Sequence, residues 1–179
     1  LNRQTIPYRH GVARHWVLVG LMGSGKTTVG AELARRARRV FVDNDVQLAS
    51  ASGRTAREIE NDVGFDALHE LERDALVEAL GASRPAVIAA AASVVDDANL
   101  RARLQRDADV IWLETDVDDL VRRVINQPHR PLAPDIAAQL RDQAASRSAR
   151  FREIADVVVD GGRAPAVIVD DLLSKLGAL

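Results

Sequence analysis

Gly20-Leu21-Met22-Gly23-Ser24-Gly25-Lys26-Thr27 carries the clearest chemistry in the chain. Glycine, four intervening residues, then Gly-Lys-Thr is a phosphate-binding spacing with a physical reason. Gly20, Gly23 and Gly25 let the backbone wrap close to an anion, and successive N–H groups and a helix N-terminus then point at it. Lys26 would reach the β- and γ-phosphates of a nucleoside triphosphate, and the Thr27 hydroxyl would ligate Mg²⁺. Gly23, Ser24, Gly25, Lys26, Thr27 and Thr28 are therefore the candidate nucleotide-binding set. Of 24 basic residues, only Lys26 and Lys175 are lysine. In so arginine-rich a chain, lysine at this position points to a need for a compact ammonium.

Asp43 and Asp45 form a second candidate group. Phosphoryl transfer needs Mg²⁺ held against the phosphates and a group to orient the attacking hydroxyl. Two carboxylates two residues apart at a strand end can divide those roles, Asp43 serving the metal and Asp45 the acceptor. A solvated Asp-Asn-Asp turn is the plain alternative. Arg130 lies between prolines in a long loop, where a closing lid would bring a cation to the transferring group and exclude water. Arg147, on the following helix, has the planar fork that clamps a carboxylate. Arg35, Arg36, Arg38, Arg73 and Arg101 read as solvated helix-face charges. The chain has no Asn-Lys-x-Asp or Asp-x-x-Gly segment, which argues against a GTPase. No apolar strand ends in a paired Asp-Glu, which argues against a motor or AAA-type ATPase.

These residues need a scaffold. At 179 residues, with 47% hydrophobic and 28% charged residues, the chain suits one domain with a substantial core. A net charge of −2 gives no field that would draw nucleic acid or a membrane. The absence of cysteine excludes disulfides, thiolate metal sites and a cysteine nucleophile. Leu1 to His15 (residues 1–15) reads as an irregular leader, and residues 16–179 as one domain. Apolar strands are expected at Trp16 to Val19, Val40 to Val42, Ala86 to Ala89, Ala108 to Leu113 and Ala155 to Val159. Helical patterns lie between them, including residues 46–81, broken near Ser52-Gly53 and Val63-Gly64. There Ala67, Leu68, Leu71, Ala75, Leu76 and Leu80 repeat with a period near 3.6. Such alternation predicts an α/β fold, a parallel sheet with helices on both faces and ligands at the strands' carboxyl ends.

The chain resembles the shikimate kinase family of nucleoside-monophosphate-kinase-like P-loop enzymes, from Trp16 to its end. The loop with its trailing Val29-Gly30, the Asp43-Asn44-Asp45 segment, Gly53, Glu58-Ile59, Gly64, Glu72 and Arg130-Pro131-Leu132 carry the likeness. The resemblance implies a five-stranded parallel sheet in order 2-3-1-4-5, a helical substrate-binding region (46–81) and a lid (126–136). It implies ATP and Mg²⁺ as cofactors, with Thr27 and Asp43 on the metal. Lys26, Asp45 and Arg130 take the catalytic roles, and Arg123 and Pro165 flank the adenine. It also places Asp45 and Arg147 on the acceptor, shikimate being the implied one. A monomeric, cytoplasmic enzyme acting on a small molecule is expected.

Two departures fall in the acceptor site. The family's substrate-carboxylate arginine is His69 here, shorter and only partly charged near neutral pH. Its Gly-Gly-Gly after the third strand is Ala91-Ala92-Ser93, where a left-handed backbone angle would cost an alanine about 1–2 kcal/mol. His69, Ala91, Ala92 and Ser93 thus join the substrate-binding set. They leave room for a kinase of another polyol or carboxylated ring, or for a nucleotide-binding protein without turnover.

Overall fold

The computed structural model describes residues 14–126 and 135–177. Most of the expected lid, Arg130 included, lies outside the described residues. The elements run β1 (His15–Val19), α1 (Lys26–Ala37), β2 (Val40–Asp43), α2 (Asn44–Ser52), α3 (Ala56–Val63), α4 (Phe65–Leu80) and β3 (Ala86–Ala89). A short 3₁₀ helix (Ala92–Asp96) follows, then α5 (Ala98–Asp107), β4 (Ala108–Glu114), α6 (Val117–Ile125), α7 (Ile136–Ile154), β5 (Val157–Asp160) and α8 (Pro165–Lys175). The five strands pair in parallel in the order β2-β3-β1-β4-β5, the expected one.

Every residue of β1 is buried, because both faces of the central strand are covered. Val17 and Val19 face a layer made by Leu76 of α4, Leu104 of α5, Leu120 of α6 and Leu140 and Phe151 of α7. Trp16 and Leu18 face the opposite layer, where Val29 and Leu33 of α1 meet Ile168 and Leu172 of α8. Leu48, Ile59 and Leu68, with Ala56, join α2, α3 and α4 into a smaller cluster of their own. Thr55 and Glu58 cap α3 reciprocally, so this helix begins where the local chemistry dictates.

Two expectations from helical patterning are corrected. Leu71 of the apolar repeat is 42% exposed, whereas its neighbour Glu72 is only 9% exposed. The reason is chemical, since Glu72 has polar partners inside. Arg101, expected in solvent, donates to the Val95 carbonyl at 2.8 Å and pairs with Glu153. Arg35, Arg36 and Arg38 are exposed as expected. Among the described residues, no helix is long and apolar enough to cross a membrane.

Candidate active site

The phosphate loop joins β1 to α1 through glycines that no other residue replaces cheaply. Gly20, Gly23 and Gly25 have φ of 147°, 83° and 96°. A Cβ on Gly20 would lie 2.9 Å from Ser24 Oγ and 3.0 Å from the Leu113 carbonyl; one on Gly23 would lie 2.9 Å from Val124. Lys26 Nζ donates to the carbonyls of Gly20 (2.8 Å) and Leu21 (3.1 Å), which holds the ammonium over the loop. Thr27 and Thr28 are exposed at the start of α1, while Ser24 is buried.

Sheet order brings Asp43 beside this loop. The Thr27 hydroxyl donates to Asp43 Oδ2 at 2.7 Å. Asp43 Oδ1 accepts from the Asp45 N–H at 3.0 Å, which caps α2 and leaves the exposed Asp45 one step outward. Thr27 and Asp43 thus offer two hard oxygen ligands, a set suited to Mg²⁺, which takes few protein ligands and completes its shell with phosphates and water. Among the described residues no three histidine, cysteine or acidic side chains gather as a metal cage.

Arg123 of α6 binds the loop from the other side. It donates to the carbonyls of Gly23 (3.3 Å) and Gly161 (2.9 Å), joining the phosphate loop to the turn after β5. Pro165 is exposed at the first turn of α8, beyond that turn. A cavity of about 560 Å³ adjoins this region, lined by Leu21, Ser24, Trp112, Thr115, Asp116 and Ser148 among others. Its lining includes none of Asp43, Asp45, His69 and Arg147, so it is not the place where the acids converge.

The residues expected on the acceptor side do converge. Ser93 donates to Glu72 Oε2, and Asn44 Nδ2 donates to the Glu72 backbone carbonyl at 2.8 Å. Burial pushes the Glu72 carboxyl above its ordinary range; Asp45 and Glu60 add to this, while the Ser93 hydrogen bond and Arg147 oppose it. Burial pushes the His69 imidazole down, Arg147 adds to that, and Asp96, Asp66 and Glu60 oppose it. His69 also packs on Phe65, ring centroids 3.8 Å apart. Arg147 is 7% exposed and is held by Asp96, its Nε at 2.9 Å and its terminal nitrogen at 2.6 Å from one carboxylate oxygen.

Ala91 has φ −59°, and Arg38 is the one non-glycine residue with positive φ among those described. Ala91-Ala92-Ser93 therefore bears no left-handed strain, and the cost that such an angle would carry does not arise. What these residues change is volume, and a hydroxyl aimed at Glu72. Sequence reasoning missed Asp96 and Asn44. Asn44 sat within the noted Asp-x-Asp; Asp96 had no local signal, because its partner is 51 positions away.

A central parallel strand, a glycine loop, a lysine and a Thr–Asp pair define a P-loop nucleotide-binding protein. The family model described as shikimate kinase matches residues 22–177. The shikimate kinase of Bordetella pertussis is 38% identical over 167 residues, covering 90% of this chain and 77% of that protein. That of Pseudomonas aeruginosa is 33% identical over 169 residues, covering 91% and 96%. The solved shikimate kinase from Acinetobacter baumannii, in complex with shikimate, superposes with a TM-score of 0.84 at 28% identity, covering 91% of this chain and 92% of that one. The chain belongs to the shikimate kinase family, whose members are ATP-dependent phosphotransferases.

Proposed function

We propose that this chain transfers the γ-phosphoryl group of ATP to a hydroxyl of shikimate, as a cytoplasmic monomer. The observation that carries the reading is the 2.7 Å Thr27–Asp43 contact beside Lys26, with Asp45 one step further out. Lys26 neutralises phosphate charge, and Thr27 and Asp43 would hold Mg²⁺, which would supply further neutralisation of the phosphate charge. Loop N–H groups from Gly23 to Thr28 cradle the phosphates, and Arg123 and Pro165 flank the base. Asp45 orients the acceptor hydroxyl and takes its proton as the oxygen attacks the γ-phosphorus. The bond from that phosphorus to the bridging oxygen breaks, and ADP leaves. Arg130 would supply a cation to the transferring group, and Arg147 faces the acid end of the acceptor beside His69, Ala91, Ala92 and Ser93.

A coupled ADP-release assay tests the reading. Shikimate-dependent turnover in the usual kinase range of about 1–100 s⁻¹ is expected. ATP binding without shikimate-dependent ADP release overturns it, and turnover in a panel of neutral polyols would then name another acceptor.

A further inference from the structure

Arg147 and Arg150 sit one turn apart on α7, and both reach the carboxylate at the end of the 3₁₀ helix. Arg147 takes Asp96 Oδ2 with two nitrogens, at 2.9 and 2.6 Å, and Arg150 takes Oδ1 at 2.5 Å. The Arg147 side chain is 8% exposed and that of Asp96 30%, so the guanidinium is fixed inside while its partner borders water. Asp96 ends the same 3₁₀ helix from which Ser93 donates to Glu72, so the Arg147–Asp96 pair stands beside residues expected to meet the acceptor.

We propose that Asp96 is a specificity-determining residue, an internal carboxylate that competes with an acid acceptor for Arg147. The inference rests on the acceptor reading above. An acceptor carboxylate gains Arg147 only as Asp96 releases it. One charge-assisted, forked contact is then exchanged for another of the same kind, and little net affinity is gained. His69 does not restore it, since burial and Arg147 both disfavour the imidazolium. The site therefore recognises the acceptor's hydroxyls and ring more than its charge.

The test compares shikimate with its uncharged methyl ester in the ADP-release assay. For the native chain, the two KM values are expected to agree within about threefold. Asp96→Asn keeps an oxygen for Arg147 but removes the charge, and the ester-to-acid KM ratio is expected to rise about tenfold, or about 1.4 kcal/mol. Loss of a structural contact alone would move both KM values together. A native chain that already prefers the acid tenfold, or a ratio unmoved in Asp96→Asn, overturns the inference while leaving the acceptor reading intact. Should Asp96→Asn fold poorly, the native ratio decides alone. No turnover of either compound with ATP binding intact overturns the acceptor reading, and this inference with it.

Discussion

Thr27 and Asp43, 16 positions apart in the chain, share a 2.7 Å hydrogen bond that spans from the first turn of α1 to the end of β2. The contact places a hydroxyl and a carboxylate side by side, the pair proposed above to hold Mg²⁺. Thr27→Ala is expected to lower kcat about 10²-fold and to raise the Mg²⁺ concentration giving half-maximal rate. A magnesium titration of the rate checks this. An unchanged magnesium dependence would remove Thr27 from the metal site.

Arg123 supplies a second expectation, because it joins the phosphate loop to the turn after β5. Arg123→Ala loses donors to Gly23 and Gly161. The KM for ATP should rise about tenfold through looser positioning, with the acceptor KM unmoved. Steady-state kinetics in both substrates separates the two.

Gly30 shows how closely α1 packs on β2. A Cβ there would lie 2.6 Å from Phe41 Cε2. Gly30→Ala gains about 1 kcal/mol of helix propensity but loses about 1–3 kcal/mol to overpacking. The balance is expected to be a lower Tm, by about 2–4 °C per kcal/mol lost. Adding Phe41→Leu to Gly30→Ala should recover part of that loss, and thermal denaturation of the three chains is the measurement.

Glu72 gives a pH signature. A carboxyl whose pKa is higher folded than unfolded contributes stability that is fully present below the unfolded value and lost as pH rises through the folded one. Glu72 is raised from 4.5 by burial, with Asp45 and Glu60 pushing the same way and Ser93 and Arg147 the other. The native chain should therefore lose stability relative to Glu72→Gln as pH rises above about 4.5. His69 has the opposite sign and is present in both chains, so their difference isolates Glu72. Urea unfolding across that range checks it, and two parallel pH curves would place Glu72 in a solvated setting.

The donor half of the site was legible because its signals are local. The loop spacing with the strand before it, and the Asp43-Asn44-Asp45 segment, are each readable within a few residues. The parallel sheet followed from the strand and helix alternation, and its order from the family resemblance. The acceptor half depends on contacts between distant segments. Nothing near Asp96 announces Arg147, and nothing in the period of α4 announces that Glu72 faces inward while Leu71 faces out. Apolar periodicity reads a face correctly until a polar residue finds buried partners, and Glu72 found Ser93. Ala91 has an ordinary negative φ of −59°, so the side chains added there bear on space and not on backbone strain.

Strand order also sets a timetable. The phosphate loop leaves β1, whose Trp16 pairs with Val87 on one side and Asp109 on the other. The strand that launches the loop is made well before either of its neighbours. Contacts so distant along the chain are slow to close. A growing chain therefore holds its nucleotide motif without the sheet that shapes it until β4 has been translated, and nascent protein should be unable to retain ATP before that point.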